Sequence, residues 1–185
     1  FVWSFKDHGK NKILLDNDNQ PPGYKWFHDD FGLNYRLTEM QSAIGIEQLK
    51  KLREWNKIRH RNAQILIQEL SKLNVVRLAL PEKKFHHAWY KFHCYIKPKY
   101  LKTDWNRDRI IREINDLGFP AFHGSGSEIY LEKCFKNFKN QIGLCPVARE
   151  LGQTSLMFLI HPTINSELMT NYAKNISKVI KNSSK

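Results

Sequence analysis

The sequence predicts an α/β protein of the α+β kind, in which a long helix leads into a small mixed sheet packed by helices. Two patterns predict it. Apolar residues recur at three- and four-residue spacing from residue 37 to residue 73, which is typical of helix. From about residue 74 onward, short β-prone runs alternate with amphipathic runs, which favours one sheet covered by helices. The 185 residues, 41% hydrophobic and 26% charged, suffice for one sizeable core or for one domain and part of another.

The first 31 residues predict irregular structure. Residues 16–23 read Asp-Asn-Asp-Asn-Gln-Pro-Pro-Gly, a composition dense in turn formers. The connection exceeds the usual length, so we expect a functional loop or a binding surface there.

The segment from residue 32 to residue 49 predicts a helix with a polar entry. Thr38 and Gln41 fit a capping box, and we expect one helix over 37–48 and a longer one over about 48–73. Asn34 and Arg36 come just before the helix, where unpaired N–H groups and the helix dipole favour a phosphate or a carboxylate. By spacing alone, an ordinary capped helix with a polar loop explains the same pattern.

The remaining elements follow from short local patterns. Strands are predicted at 75–80, 88–96, 119–122 and 155–160, and helices at 104–117, at 148–151 before Gly152, and at 166–181. His123, Ser125 and Ser127 belong to a polar loop after a strand, which suits sugar binding or simply a tight turn. His161 ends the last predicted strand, where it either faces a site or has a structural role.

Composition narrows the classes of function. The net charge of +12 is spread over helix faces and loops, so we expect no specific nucleic-acid partner, only nonspecific attraction to polyanions. No apolar run approaches the roughly 18 residues of a membrane span, so no membrane partner is expected. Cys94, Cys134 and Cys145 lack zinc-site spacing, which predicts no metal site and reduced thiols in a cytoplasmic protein.

Five blocks of the sequence resemble the DegT/StrS-type (DegT/DnrJ/StrS) family of pyridoxal-phosphate (PLP) dependent sugar aminotransferases, and they occur in the family's order. Residues 32–49 resemble its Gly-x-Asn-x-Arg-Leu-Thr-Glu-x-Gln block, which supplies the most specific match. The other four blocks are residues 3–10, 21–26, 124–133 and 146–163. Together they span nearly the whole chain.

The resemblance implies the C-terminal half of a fold-type-I enzyme. Residues 1–45 would end the large PLP-binding domain, and residues 46–185 would form the connecting helix and the small domain. The implied protein is a cytoplasmic homodimer that transfers an amino group, with glutamate as the expected donor, to a nucleotide-linked keto-sugar. The rival hypothesis is a noncatalytic regulatory or interaction module that binds polyanions.

The resemblance also implies roles for individual residues. Asn34 would contact the PLP phosphate of the neighbouring subunit, and Arg36 would bind the same anion or a sugar-nucleotide diphosphate, unless it pairs with Glu39 or another acid. His123, Ser125, Ser127 and His161 are the other candidate substrate contacts, although the aromatic-Pro-Leu-His pattern common in the family is missing here. The Schiff-base lysine and its acidic partner find no match and are expected upstream of Phe1, so the chain alone is expected to be inactive.

Overall fold

The computed structural model describes residues 1–17, 27–124, 126–135, 137 and 145–185. The chain divides into two compact units, Phe1–Lys51 and Leu52–Lys185. The predicted loop over 16–31 lies largely outside the described residues, as does Ser125.

The first unit contains two short helices that the sequence patterns did not predict, α1 (Val2–Lys6) and α2 (Lys12–Leu15). Between them the chain turns at Gly9, whose φ is +80°. A Cβ at Gly9 would lie 1.7 Å from the carbonyl oxygen of Asp30, so only glycine allows the two segments to cross at this distance. Asp7 forms an antiparallel bridge with Asn34, which ties the residues before the long helix to this turn.

The long helix α3 spans Glu39–Leu70 as one element. The predicted capping box is confirmed: the Thr38 N–H donates to Gln41 Oε1 at 3.1 Å, and the Gln41 N–H donates to Thr38 Oγ1 at 3.3 Å. The predicted division into two helices near residue 48 was wrong. Residues from Glu47 to Lys51 are good helix formers and include no proline and no turn former. The helix therefore continues where its row of apolar residues changes position.

The second unit is built on a four-stranded sheet of order β1-β2-β4-β3. Its strands are β1 (Val76–Leu78), β2 (Phe92–Ile96), β3 (Ala121–His123) and β4 (Ser155–Phe158). All three pairings are antiparallel, so the sheet is not mixed as predicted. The register places Tyr95 opposite Ser155 and His93 opposite Met157.

Three helices accompany the sheet: α4 (Arg107–Asp116), α5 (Pro146–Thr154) and α6 (Ser166–Ser183). Single-turn 3-10 helices lie at Pro98–Tyr100 and Ile129–Leu131. The prediction that Gly152 ends its helix was wrong, because α5 continues through Gly152 to Thr154. None of the helices in the described ranges has both the length and the apolar character that crossing a bilayer requires.

The core of the second unit lies between one face of the sheet and the helices. Phe92, Cys94 and Ile96 of β2 are buried, whereas His93 and Tyr95 between them are only partly buried. The helices contribute fully buried apolar side chains to the same cluster: Leu66, Leu70, Ile110, Ile114, Met169, Ile176 and Ile180. The opposite face of β2 therefore carries the polar side chains, and α5 lies against that strand.

Candidate functional site

Asn34 presents an amide donor shortly before α3. Its side chain is exposed, and its Oδ1 accepts the Arg36 N–H at 3.5 Å. Its Nδ2 donates to no atom of residues 1–17, 27–124, 126–135, 137 and 145–185. Across the same ranges, the N–H groups of Glu39 and Met40 have no acceptor, as is usual in the first turn of a helix. This donor set suits the oxygens of a phosphate.

Arg36 is held by a buried carboxylate. Asp7 is fully buried, and the Arg36 guanidinium donates directly to its Oδ2. The Lys10 Nζ and the His8 Nδ1 each lie 3.3 Å from Asp7 Oδ1. The acid that pairs with Arg36 is therefore Asp7 rather than Glu39. The Arg36 side chain is about half exposed, so part of its guanidinium is accessible to a ligand. Its role toward a substrate anion stays a prediction.

The ion pairs decide the charge of Asp7. Burial raises the pKa of its carboxyl, but hydrogen bonds from Arg36 and Lys10 outweigh burial and hold the pKa below the ordinary value of 3.8. Asp7 is therefore a carboxylate at neutral pH. Its charge balances that of Arg36, whose guanidinium is still about half exposed next to Asn34 in the chain.

The first unit fits the phosphate end of PLP on these grounds. A phosphate needs N–H donors, and the dipole at a helix N-terminus favours its negative charge. Asn34 and the start of α3 supply the donors, and the negative charge of Asp7 is compensated by its basic neighbours. Lys6 is not a candidate for the reactive lysine, because its neighbours in the sequence do not match the family's lysine motif. Its Nζ lies 5.8 Å from the centroid of the Trp3 ring.

The second unit contains a cavity of about 440 Å³ on the polar face of the sheet. We call it the sheet cavity and define it by six of its lining residues: Trp89, Lys91, His93, Ser127, Gly152 and Ser155. These residues come from the segment before β2, from β2, from the loop after β3, from α5 and from β4. A cavity of this size is typical of small-molecule sites.

The lining of the sheet cavity combines an aromatic wall with polar groups. Trp89 is almost fully buried and stacks on Phe92 with ring centroids 5.8 Å apart. Burial and the neighbouring Lys91 lower the pKa of His93, so its imidazole is neutral at pH 7 and offers both a donor and an acceptor. No aspartate or glutamate lines the cavity in the part of the chain that the structure describes. Such a lining suits a hydroxyl-bearing ligand that carries no positive charge.

Close backbone contacts shape this cavity. The Gly124 N–H donates to Ser155 Oγ at 3.1 Å. A Cβ at Gly152 would lie 2.0 Å from Ser127 Oγ, so the helix approaches the loop as closely as a glycine allows. From α4, Arg107 Nη1 donates to the carbonyls of Gly152 and Ser155 at 3.1 and 2.9 Å, which secures the junction of α5 and β4.

His123 and His161 are not among the residues that line the sheet cavity. His123 is exposed, and its Nδ1 lies 2.6 Å from the Gly124 carbonyl oxygen. His161 is exposed, and its Nδ1 lies 2.9 Å from Thr163 Oγ1. Ser125 is outside the described residues. Of the predicted contacts that the structure describes in this unit, Ser127 lines the cavity, and the substrate roles of His123, Ser125, Ser127 and His161 stay predictions.

Sequence reasoning missed Trp89, His93 and Ser155 as cavity residues. A signal was present for His93, because strand alternation puts it on the face opposite Phe92 and Cys94. No local signal existed for Ser155, which reaches the cavity through its pairing with β2. The described residues contain no group of three or more His, Cys, Asp or Glu side chains arranged for a metal ion.

The chain is similar to known proteins over most of its length. A model of the DegT/DnrJ/EryC1/StrS aminotransferase family matches residues 4–177. The erythromycin biosynthesis sensory transduction protein EryC1 of Saccharopolyspora erythraea is 29% identical over 145 residues, which are 77% of this chain and 37% of that protein. GDP-perosamine synthase of Caulobacter vibrioides is 28% identical over 115 residues, 60% of this chain and 30% of that protein.

Solved structures give the same result for the fold. The aminotransferase from Psychrobacter cryohalolentis matches with a TM-score of 0.89 and 41% identity, covering 98% of this chain and 48% of that one. Helicobacter pylori PseC, an aminotransferase involved in the biosynthesis of pseudoaminic acid, matches in fold with a TM-score of 0.79 at 19% identity, covering 98% of this chain and 45% of that one. These likenesses confirm the predicted fold class. The chain spans less than half the length of each of these relatives.

Proposed function

The chain belongs to the DegT/DnrJ/EryC1/StrS aminotransferase family, and from this premise we propose that it forms the C-terminal part of a PLP-dependent sugar aminotransferase. The observation that carries the proposal is the 41% identity to a solved aminotransferase over 98% of this chain. Residues 1–45 then end the large domain, and residues 46–185 form the connecting helix and the small domain. The reactive lysine belongs to another part of the whole protein.

Asn34 contributes to the cofactor site. When bound, PLP supplies an electron sink for proton loss at the amine-bearing carbon. The Asn34 Nδ2 and the N–H groups at the start of α3 donate to the phosphate, and Asp7 holds Arg36 beside them. In the dimer, Asn34 serves the site of the neighbouring subunit. The support is its exposed amide, which donates to nothing in the ranges that the structure describes.

The sheet cavity receives the sugar of a nucleotide-linked keto-sugar, and glutamate supplies the amino group. Trp89 offers an aromatic wall to the sugar ring, while His93 and Ser127 exchange hydrogen bonds with its hydroxyl groups. The name of one relative, a GDP-perosamine synthase, supports a nucleotide-linked sugar. The amino sugar would serve the synthesis of a cell-surface polysaccharide.

The active unit is a cytoplasmic homodimer. Cys94 and Cys134 of this chain are free thiols, as is usual in a reducing compartment. Apolar side chains around the start of α3 are exposed in this chain, with Phe31 fully so, and a partner surface would cover them. The exposed set is Phe31, Leu37, Met40, Ile44 and Leu49. We expect Ile44→Asp to shift the whole protein toward monomer in sedimentation, whereas Lys57→Asp, at an exposed position farther along the helix, leaves the dimer intact.

Purification of the whole protein tests the proposed function. It should show a visible absorption band from lysine-bound PLP that borohydride abolishes. With ¹⁵N-labelled glutamate, it should deliver the label to a 4-keto-hexose linked to UDP, GDP or dTDP, as read by mass spectrometry. A protein that binds no PLP, or that binds it and labels none of these acceptors, would overturn the proposal.

A further inference from the structure

Three side chains join the loop after β3 to the start of α5. The Arg149 Nε lies 3.1 and 3.2 Å from the two carboxylate oxygens of Glu128, and its second terminal nitrogen lies 3.0 Å from Oε1. The Tyr130 hydroxyl donates to the same Oε1 and accepts the Cys145 N–H at 3.3 Å. We call Glu128, Tyr130 and Arg149 the Glu128 clasp.

The Glu128 clasp has the features of a strong interaction. Contact of a guanidinium with both oxygens of a carboxylate fixes direction as well as distance. The Glu128 side chain is only 12% exposed, which limits screening by water. Hydrogen bonds from Arg149 and Tyr130 lower the pKa of Glu128 below its ordinary value, so the carboxylate is charged at neutral pH. Most ion pairs elsewhere in the described ranges join more exposed side chains.

The clasp is adjacent in sequence to the wall of the sheet cavity on both sides. Glu128 directly follows Ser127, whose Oγ fits against Gly152. Arg149 directly follows Ala148 and precedes Gly152 by about one helical turn, and all of these neighbours line the cavity. Ser127 is therefore held from two directions, by the clasp through the chain and by Gly152 through direct contact.

We propose that the Glu128 clasp positions Ser127 on the wall of the sheet cavity and so sets the affinity of that cavity for the sugar of the substrate. The inference rests on the proposed function and adds three positioning residues to it, none of which lines the cavity. A shift of about 1 Å is enough to spoil a designed hydrogen bond. Breaking the clasp should therefore act on sugar binding in the same way as removing the Ser127 hydroxyl.

The test compares Ser127→Ala, Arg149→Met and the double variant in the whole enzyme. Each single variant should raise the KM for the keto-sugar roughly five- to tenfold, the effect of one lost hydrogen bond, with kcat within about twofold of wild type. The double variant should be no worse than Ser127→Ala, because the two changes remove the same contact. Arg109→Met is the matched control, since it breaks ion pairs with Asp104, which precedes α4, and with Glu113 on α4, and it should leave KM unchanged.

Two further variants keep the test informative if Arg149→Met does not fold. Gly152→Ala places a methyl group where Ser127 Oγ lies, so it should raise KM without touching the clasp and without adding to Ser127→Ala. Glu128→Gln keeps the acceptor oxygen and should restore part of the affinity lost in Glu128→Ala. Thermal unfolding midpoints show whether each variant is folded, and the dissociation constants of UDP-glucose, GDP-mannose and dTDP-glucose report binding without turnover.

The outcomes separate the inference from the proposed function. Full additivity of Arg149→Met with Ser127→Ala, or a fall in kcat alone, would overturn the positioning role. An unchanged KM in folded Arg149→Met or in Ser127→Ala would do the same, while amino transfer by the wild type keeps the proposed function in place. A wild-type protein that transfers no amino group overturns the proposed function instead.

Discussion

Asp7 shows how one buried carboxylate organises a stretch of largely irregular chain. It lies between two short helices, and its partners Lys10 and Arg36 follow it in the chain by 3 and 29 residues. A buried charge without such partners would be costly, so the cluster must remain complete for the carboxylate to stay inside. The backbone of Asp7 also pairs with Asn34. One residue thus links the local charge balance to the position of the candidate cofactor contact.

Acid should weaken the structure around Asp7. The folded pKa of Asp7 is below its ordinary value of 3.8, so its contribution to stability is complete above that value and is lost as pH falls through the lower folded pKa. We expect the free energy of unfolding of the wild type to decline between about pH 5 and pH 2 more steeply than that of Asp7→Asn. Chemical denaturation across this range measures it. Equal slopes would contradict the prediction, and Asp116→Asn, an exposed aspartate, should match the wild type.

Asn34→Ala should weaken the retention of PLP without unfolding the protein. Removing one donor to a charged phosphate costs about 1.5–3 kcal/mol, which corresponds to roughly 10- to 100-fold in affinity. Equilibrium dialysis of the whole protein measures this loss, with circular dichroism as the check on folding. Asn182→Ala, an exposed asparagine in the last turn of α6, is the control. Wild-type affinity in Asn34→Ala would exclude the phosphate contact.

At the scale of elements, Asn62 joins the long helix to the loop after β4. It is fully buried, and its Nδ2 donates to the carbonyls of His161 and Ile164 at 3.3 and 3.0 Å. Arg61 donates to Asn62 Oδ1 from the other side, at 3.0 and 3.2 Å. This polar link fixes the backbone that carries His161, so the orientation of that histidine depends on a helix about a hundred residues earlier.

Asn62→Leu should destabilise the second unit. The substitution keeps the volume but removes the donor of the His161 carbonyl, whereas the Ile164 carbonyl retains Arg61 Nη2 at 3.0 Å. The expected cost is about 1–3 kcal/mol. Urea denaturation measures the difference in the free energy of unfolding. Gln68→Leu, at an exposed position of the same helix, should change it by less than about 0.5 kcal/mol. Equal stability of the Asn62→Leu variant and the wild type would show that water satisfies these carbonyls.

Local patterns predicted those elements that local chemistry determines. The capping box needs only Thr38 and Gln41, which are three residues apart. The alternation from Phe92 to Ile96 arises because one face of that strand is buried. The continuity of α3 and the passage of α5 through Gly152 were missed. In α5 the glycine serves a contact with Ser127, about 25 residues earlier, that no local pattern contains. For the same reason the sheet cavity could not be predicted, since five separate segments meet there.

At the scale of the whole molecule, the net charge of +12 should give salt-dependent attraction to polyanions. Dispersed lysines neutralise phosphates without reading bases, so binding of two DNA duplexes of different sequence should be equally weak. It should fall steeply between about 50 and 200 mM salt. Fluorescence anisotropy measures the affinity for each duplex and its dependence on salt concentration. A sequence preference that survives high salt would instead favour the rival hypothesis of a noncatalytic nucleic-acid-binding module.

The order β1-β2-β4-β3 has a consequence for how this molecule meets others. It leaves β1 and β3 at the two margins of the sheet, and each is only three residues long. An edge strand this short offers a strand of another molecule very few free amide and carbonyl groups. Edge-to-edge pairing, the step that leads to fibrils, is therefore disfavoured. The concentrated conditions of a crowded cell therefore pose less danger to this sheet than its small size would suggest.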